Sequence, residues 1–437
     1  MKIITIIGTG YVGLVSGAGI SDFGHNVVCA DIDEDKIKQL INGQIPIYEP
    51  GLYDLVDRNV KHGRLSFSND IAGSIENSDI IFIAVGTPEG ANGTSDLTAV
   101  YEVARAIGNS LNGYKVVCTK STVPIGTGAE ILKIIKDTNK SKNDFDYVSN
   151  PEFLREGSAV KDFLWPDRVI IGASNEKAFD FMKDVYRPLY INETPIIETS
   201  IETAELIKYA SNAFLSVKIS YINEIANICD AIGADVHVVS KAMGIDGRIS
   251  PKFLHPGPGF GGSCFPKDTK ALIAMAEALG TDVKVVESAI EANQSQKVRM
   301  VNKLINLFND DVHGKTIAIL GLSFKAQTDD VRESPAINMI AALKDRGAII
   351  KAYDPVANEN MKKIFNDLDI YNSWEDAVCD ADGVVIMTEW NEFRGLDLPR
   401  LKDLVKSPNI LDCRNILNID DLESLGFHYD NVGRKKA

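Results

Sequence analysis

At 437 residues the chain is too long for one compact core, and two or three domains are expected. Its apolar fraction of 45% and charged fraction of 24% are those of an ordinary soluble globular protein. A net charge of -15 argues against nucleic acid or an anionic membrane as partner, since both select basic surfaces. No apolar run approaches the ~20 residues of a membrane helix. The apolar start, residues 1–7, runs into glycines where a signal peptide would place its cleavage site. Cys29, Cys118, Cys229, Cys264, Cys379 and Cys413 show neither a CxxC pair nor metal-like spacing. No metal site or disulfide framework is expected, and a reducing, cytoplasmic setting is.

Residues 2–7 read as a short buried strand that enters Gly8-Thr9-Gly10-Tyr11-Val12-Gly13, followed by a helical stretch over 14–23. Gly24 ends that helix, and a second strand over 26–30 closes on Asp31. This is a βαβ unit in the register of a dinucleotide-binding Rossmann fold. Further strands are expected at 80–85, 116–119, 147–149 and 169–172, and their alternation with helices implies a parallel sheet. Residues 1–196 form the first domain on this reading.

From 201 to 232 there is neither proline nor glycine, and apolar residues step at helical intervals. Thr199 and Glu202 have capping-box spacing. A helix of about 30 residues would be about 45 Å long. Its apolar surface is wider than one stripe, which fits a strut between domains that also serves a dimer interface. More helix is expected over 235–243 and 266–279, within a central segment 197–300. Strands at 315–320, 349–353, 384–387 and 410–412 then indicate a second Rossmann-like domain over 314–437. Its first turn, Gly321 to Lys325, lacks GxGxxG, so no second dinucleotide is expected. The fold class is therefore α/β, with two doubly wound Rossmann-like domains joined by a long central helix.

Gly8, Gly10 and Gly13 suit a tight turn, close approach to a pyrophosphate, and close helix–strand packing. Asp31 is placed for a ribose 2′-hydroxyl and would repel a 2′-phosphate, which favours NAD over NADP; Lys36 lies nearby in sequence. Thr87 and Thr122 follow strands whose C-termini line the crevice of an open α/β sheet. Glu152 and Glu156 also follow a strand; in a helical turn they would share a face and work as a pair on water or a proton. Lys208 and Asn212 share a face of the long helix, where an ammonium and an amide can stabilise an oxyanion.

The stretch His255-Pro256-Gly257-Pro258-Gly259-Phe260-Gly261-Gly262-Ser263-Cys264-Phe265-Pro266-Lys267-Asp268 holds the most reactive group. Pro266 suits the first helical turn, which puts Cys264 at a positive helix end beside Lys267, where a thiolate is favoured. The glycines are expected to leave room for a ligand, and Asp268 to bind a water or the lysine. An alcohol–ketone dehydrogenase needs no nucleophile. One that continues to the acid must add something to the aldehyde, and a thiolate does so through a thiohemiacetal and a thioester. The other five cysteines, in strands or helical stretches, read as inert. Phe324, Lys325, Arg332, Arg248 and Arg414 are cationic or flanking residues suited to an anionic nucleotide.

The chain resembles the UDP-glucose 6-dehydrogenase family of nucleotide-sugar dehydrogenases nearly end to end. The motifs are residues 8–14 (GTGYVGL), 45–52 (IPIYEPGL), 120–124 (KSTVP), 151–157 (PEFLREG), 259–268 (GFGGSCFPKD) and 328–335 (TDDVRESP). The resemblance implies Cys264 as nucleophile, Lys208 and Asn212 as stabilisers of the alkoxide and thiohemiacetal oxygen, and Thr122 and Asp268 as holders of water. It implies Glu152 in thioester hydrolysis and Glu156, Lys267 and Arg332 near the nicotinamide. The sugar nucleotide would meet Phe153, Leu154 and Arg155, Phe253, Leu254, His255, Pro256 and Gly257, Gly261, Phe324 and Lys325. Arg248 matches an arginine that reaches a neighbouring subunit's site. His255 stands where some relatives carry lysine, and Ser263 and Phe265 also depart from other members. The implied reaction converts UDP-glucose, two NAD and water to UDP-glucuronate and two NADH, in a homodimer.

Three alternatives stand beside it. A sister enzyme would run the same chemistry on GDP-mannose or a UDP-N-acetylhexosamine. A single-step hydroxyacid dehydrogenase also uses a Lys/Asn pair on a long helix, but it has no use for Cys264 or the second α/β domain. A non-catalytic NAD-sensing protein would not need the full set of reactive residues.

Overall fold

The computed structural model describes residues 1–434. The chain divides into two compact units, residues 1–211 with 270–280, and residues 212–269 with the chain from 281 onward. Each unit is built on its own sheet.

The strands of the first unit are β1 (Ile3–Ile7), β2 (Asn26–Ala30), β3 (Leu65–Ser68), β4 (Ile80–Ile83), β5 (Lys115–Thr119), β6 (Phe145–Ser149), β7 (Val169–Ala173) and β8 (Ile196–Thr199). They lie in the order β3-β2-β1-β4-β5-β6-β7-β8, parallel except where β7 meets β6. Parallel strands carry helices on both faces and so read as unbroken apolar runs. Alternate residues feed two cores. Ile4, Ile6, Ile80, Phe82, Val116 and Cys118 point to one, and Ile7, Ile81, Ile83 and Val117 to the other. The chain leaves β1 for β2 on one side and returns to β4 on the other. That reversal opens a ligand crevice at the C-terminal ends of β1 and β4. The four-residue strands β3 and β8 carry no such apolar run, and the sequence pattern does not mark them.

The second unit holds β9 (Thr316–Leu320), β10 (Ile349–Tyr353), β11 (Asp369–Ile370), β12 (Gly383–Ile386), β13 (Asn409–Asp412) and β14 (His428–Asn431), in the order β11-β10-β9-β12-β13-β14. All neighbours are parallel. The edge strands β11 and β14 are short and polar, so they too escape an apolar-run reading. Ile317, Ile319 and Val385 face one core, and Ala318, Leu320 and Val384 the other.

The long helix runs Ile201–Ile232, the span its composition predicts. Its cap is not the expected Thr199, which is the last residue of β8. Ser200 takes that place, its hydroxyl accepting from the Thr203 N–H at 3.2 Å. The expected second helix of the central segment is Val236–Ile245, and the cysteine helix is Phe265–Ala278. The pattern does not announce the 23-residue helix Lys284–Asn306, because Asn293, Gln296, Lys297 and Lys303 are buried on it and blur its apolar stripe. Among the described residues no helix is long and apolar enough to cross a membrane.

Candidate active site

The glycine turn of the first unit fits a pyrophosphate. Gly8 has φ +104°, and a Cβ there would lie 2.6 Å from the Ala84 carbonyl oxygen. A Cβ on Gly13 would come within 1.9 Å of the Gly8 oxygen, so only glycine lets the helix Tyr11–Asp22 dock on β1. At Gly10 a Cβ would meet no protein atom within 4 Å, which leaves the helix N-terminus open to an anion. Val12 is half-buried in the first turn. Asp31 accepts the Thr9 N–H and hydroxyl, both at 2.7 Å, and the Asp33 N–H at 3.1 Å. Burial alone would raise its pKa. The Thr9 and Asp33 bonds and the Lys36 ammonium, 3.7 Å away, outweigh that and hold it below the usual value. Asp31 is thus a fixed carboxylate at the end of β2.

The Tyr11 hydroxyl hydrogen-bonds Glu49 and accepts from the Gly157 N–H at 3.0 Å. Glu49 also accepts from the Gly157 and Ala159 N–H groups at 2.6 and 2.7 Å. Burial, then Glu49, push the Tyr11 phenol far up, so it stays protonated. Glu49 therefore staples the loop after β6 to the dinucleotide turn, a role unmarked by its residue type.

That loop corrects an expectation. Residues 151–155 form no helical turn, and the next helix begins at Ala159. Glu152 and Glu156 consequently do not share a helix face. Glu152 instead bends back, one oxygen accepting the Leu154 N–H, while Gly157 adopts φ +79°. Its other oxygen accepts from the Lys208 ammonium at 2.9 Å, and its backbone oxygen does so at 2.7 Å. Both side chains are buried. The Phe153 ring lies 5.3 Å from that ammonium, with Arg168 stacked on it at 3.6 Å. Leu154 and Glu156 are half-buried, and Arg155 is clamped to Asp162 at 2.6 Å. Thr87 and Thr122 follow β4 and β5, and the Thr87 hydroxyl donates to the Thr122 carbonyl at 2.9 Å.

In the second unit, the Cys264 carbonyl accepts from the Asp268 N–H at 2.8 Å, which makes the cysteine the N-cap of Phe265–Ala278. Its thiol is half-buried, 3.6 Å from the Ser263 hydroxyl. Asp268 is buried and accepts from the Asn212 amide and the Lys267 ammonium, each at 2.7 Å. A carboxylate, an amide and a cation thus converge one turn from the thiol.

The glycine run is less open than expected. A Cβ on Gly262 (φ +82°) would lie 2.7 Å from the Phe324 ring, and one on Gly261 2.3 Å from the Glu333 oxygen. The space is taken by protein, because the Gly262 N–H donates to the Arg332 carbonyl at 2.8 Å. Residues the sequence did not single out hold the run from behind. Asn223 accepts the Gly257 N–H at 2.8 Å, Gln296 donates to the Gly257 carbonyl at 2.9 Å, and Asn293 brackets Phe260.

Leu254 and Pro256 are buried, His255 is exposed, and Phe253 has φ +66° with its ring edge-on to Phe265. Lys325 reaches over Phe324, whose carbonyl accepts from Arg414 at 2.7 Å. Arg332 and Arg248 project into solvent, held by Asp330 and Asp246 respectively. The turn after β9 differs in kind from that after β1. The buried Asp354 carboxylate accepts from the Leu322 and Ser323 N–H groups and the Trp390 indole, so protein groups close this turn.

Family models for the UDP-glucose/GDP-mannose dehydrogenases match three regions: the NAD-binding domain over residues 1–190, the central domain over 202–295 and the UDP-binding domain over 318–419. The chain belongs to that family. It is an oxidoreductase that binds NAD, and the fitted cradle of Gly8, Gly10 and Gly13 lies in the NAD-binding region. A UDP-glucose 6-dehydrogenase of Rhizobium meliloti is 52% identical over 99% of both chains. One from Bacillus subtilis is 48% identical over 99% of this chain and 94% of its own. A UDP-glucose dehydrogenase structure from Pyrobaculum islandicum superposes with a TM-score of 0.92 at 35% identity, covering 99% of this chain and 98% of that one. Among the described residues no cluster of three or more His, Cys, Asp or Glu side chains could hold a metal.

Proposed function

We propose that this chain oxidises UDP-glucose to UDP-glucuronate through a covalent intermediate on Cys264. The observation that carries the covalent step is the thiol at a helix N-cap, one turn from the buried Asn212–Asp268 pair and the half-buried Lys267 that bonds it. The sugar is supported by relatives named UDP-glucose 6-dehydrogenase over nearly the whole chain.

NAD, when bound, accepts one hydride in each of two oxidations. The chain's own groups do the rest. Lys208 and Asn212, one turn apart on Ile201–Ile232, stabilise the alkoxide as the C6 hydroxyl loses its proton and its carbon a hydride. The Cys264 thiolate then adds to the aldehyde carbon, forming a C–S bond. The same two donors hold the thiohemiacetal oxygen until the second hydride departs and a thioester remains. Water adds, the C–S bond breaks, the thiolate is regenerated and the carboxylate leaves. Thr122 and Asp268 hold water for the proton transfers, and Glu152 assists hydrolysis. UDP-glucose, two NAD and water thus give UDP-glucuronate, two NADH and protons.

Glu156, Lys267 and Arg332 sit beside the nicotinamide on this reading. The UDP-sugar contacts Phe153, Leu154, Arg155, residues 253–257, Gly261, Phe324 and Lys325. Residues 1–196 bind NAD, 197–300 carry the nucleophile and the dimer contact, and 314–437 bind the UDP moiety, with 435–437 outside the described residues. A homodimer is supported by Phe214, Tyr221 and Ile228, exposed at seven-residue spacing on the long helix. Arg248, exposed near that helix's following segment, is assigned to a neighbouring subunit's site. A cytosolic setting is supported by six cysteines with neither a CxxC pair nor metal-like spacing.

NADH counted per sugar, over a panel of UDP-glucose, GDP-mannose and UDP-N-acetylhexosamines, tests the reaction. Two per UDP-glucose is expected. One per sugar, or turnover with another sugar alone, overturns it.

A further inference from the structure

Lys120 is the first residue after β5 and is buried. Its ammonium donates to two neutral partners, Asn150 Oδ1 at 3.1 Å and Tyr186 Oη at 3.2 Å. The Tyr186 hydroxyl also donates to Asn150 Oδ1, at 2.6 Å. Asn150 is pinned further, its amide donating to the Ile170 carbonyl at 2.6 Å and its backbone N–H to the Thr119 carbonyl at 2.9 Å. Every hydrogen-bonding direction of Asn150 Oδ1 is therefore spent two residues before Glu152. Lys120 itself lies two residues before Thr122. One side chain thus joins the chain segments that carry both groups.

Burying an ammonium against neutral groups is unfavourable, and a methionine of similar length would fill the space without that penalty. Burial pulls the Lys120 pKa down to about 8. The titratable groups that act on it are the Cys118 thiol on β5, Glu152 on the loop and Lys208 on the long helix, while Tyr186 packs against it as a neutral phenol.

We propose that Lys120 is a positioning residue for the reaction: through Asn150 it sets the backbone from which Glu152 reaches Lys208, and along the turn after β5 it sets Thr122. The inference rests on the roles proposed above for Glu152 and Thr122. Loss of the brace misaims hydrolysis more than hydride removal, because Glu152 acts when water attacks the thioester.

Lys120→Met and Tyr186→Phe test it. Misplacement of a catalytic group by about 1 Å lowers the rate by about 100-fold. That loss is expected for Lys120→Met, with the NAD KM within about twofold of wild type and a melting temperature no lower, since a buried charge has been removed. A burst of two NADH per site should precede slow turnover, and intact mass should show more covalent sugar adduct on Cys264 than in wild type. Tyr186→Phe should show the same signature with a loss of about 3–10-fold, and it serves if the methionine variant does not fold. Wild-type kcat and adduct in both variants overturns the inference. So does a loss of activity that only follows melting temperature and NAD KM, without adduct. Wild-type protein run alongside separates the two readings: if it fails to give two NADH per UDP-glucose, the proposed reaction falls. The variants are then scored on the sugar that wild type does oxidise.

Discussion

Cys264 differs from the chain's other thiols in its surroundings. Cys29, Cys118 and Cys413 are fully buried among apolar side chains, and burial raises their pKa, for Cys29 to about 12. Such thiols stay protonated and packed; the Cys29 sulfur lies 2.3 Å from where a Cβ on Gly17 would sit. Cys264 instead sits half-buried at a helix N-terminus, three residues before Lys267. Cys264→Ser should therefore lower turnover of UDP-glucose by at least about 1,000-fold, with NAD affinity unchanged by fluorescence titration. Full turnover in that variant would remove Cys264 as nucleophile. The position of this thiol at a helix start was legible because Pro266 and the flanking glycines are local signals. The partner of Lys208 was not, since Glu152 lies 56 residues away along the chain.

Single elements carry a second kind of information. Glu205, one turn before Lys208 on the long helix, is buried and accepts the Gly126 and Gly128 N–H groups at 2.7 and 2.8 Å. It thereby supplies the acceptor at the N-terminus of Thr127–Thr138, whose cap position is held by Gly126 with no side chain. Burial raises the Glu205 pKa from its ordinary 4.5 to about 7, against those two bonds and with help from Glu202 and Glu130. Folded protein holds the proton through a window in which the unfolded chain has released it. Stability from this group is thus full below about pH 4.5 and falls as pH rises toward 7. Relative to Glu205→Gln, wild type should lose roughly 2 kcal/mol between these limits, read from urea unfolding across pH. A flat difference would show that Glu205 ionises normally. Helix existence and span were legible at this scale, as the long helix shows, whereas the buried polar helix Lys284–Asn306 hid behind its own function of holding the glycine run.

At the scale of the whole molecule, two sheets of similar winding end in turns of opposite character. Asp31 after β2 is a carboxylate fixed by Thr9 beside an open glycine turn, while Asp354 after β10 is consumed by Leu322, Ser323 and Trp390. The missing GxGxxG raises the expectation of one dinucleotide site, while the closure of the second turn by Asp354 joins residues 32 apart along the chain. The long helix leaves Phe214 63% exposed, with Tyr221 and Ile228 one and two heptads on. A stripe of that kind fits self-association. If the proposed homodimer forms through this stripe, Phe214→Asp with Tyr221→Asp should halve the mass in light scattering and leave the melting temperature within a few degrees at high concentration. Unchanged mass in the double variant would place any self-association elsewhere. By itself the sequence determined what depends on neighbours along the chain: the glycine turns, the apolar strands, the ends of the long helix and the cap position of Cys264. Those follow from backbone sterics and periodicity, which act over a few residues. Only the tertiary structure decided which acid meets Lys208, which amide meets Asp268, and what fills the space beside Gly261 and Gly262. Such pairings join segments tens of residues apart, and a residue's type states what it can bond but not which distant group the fold brings to it.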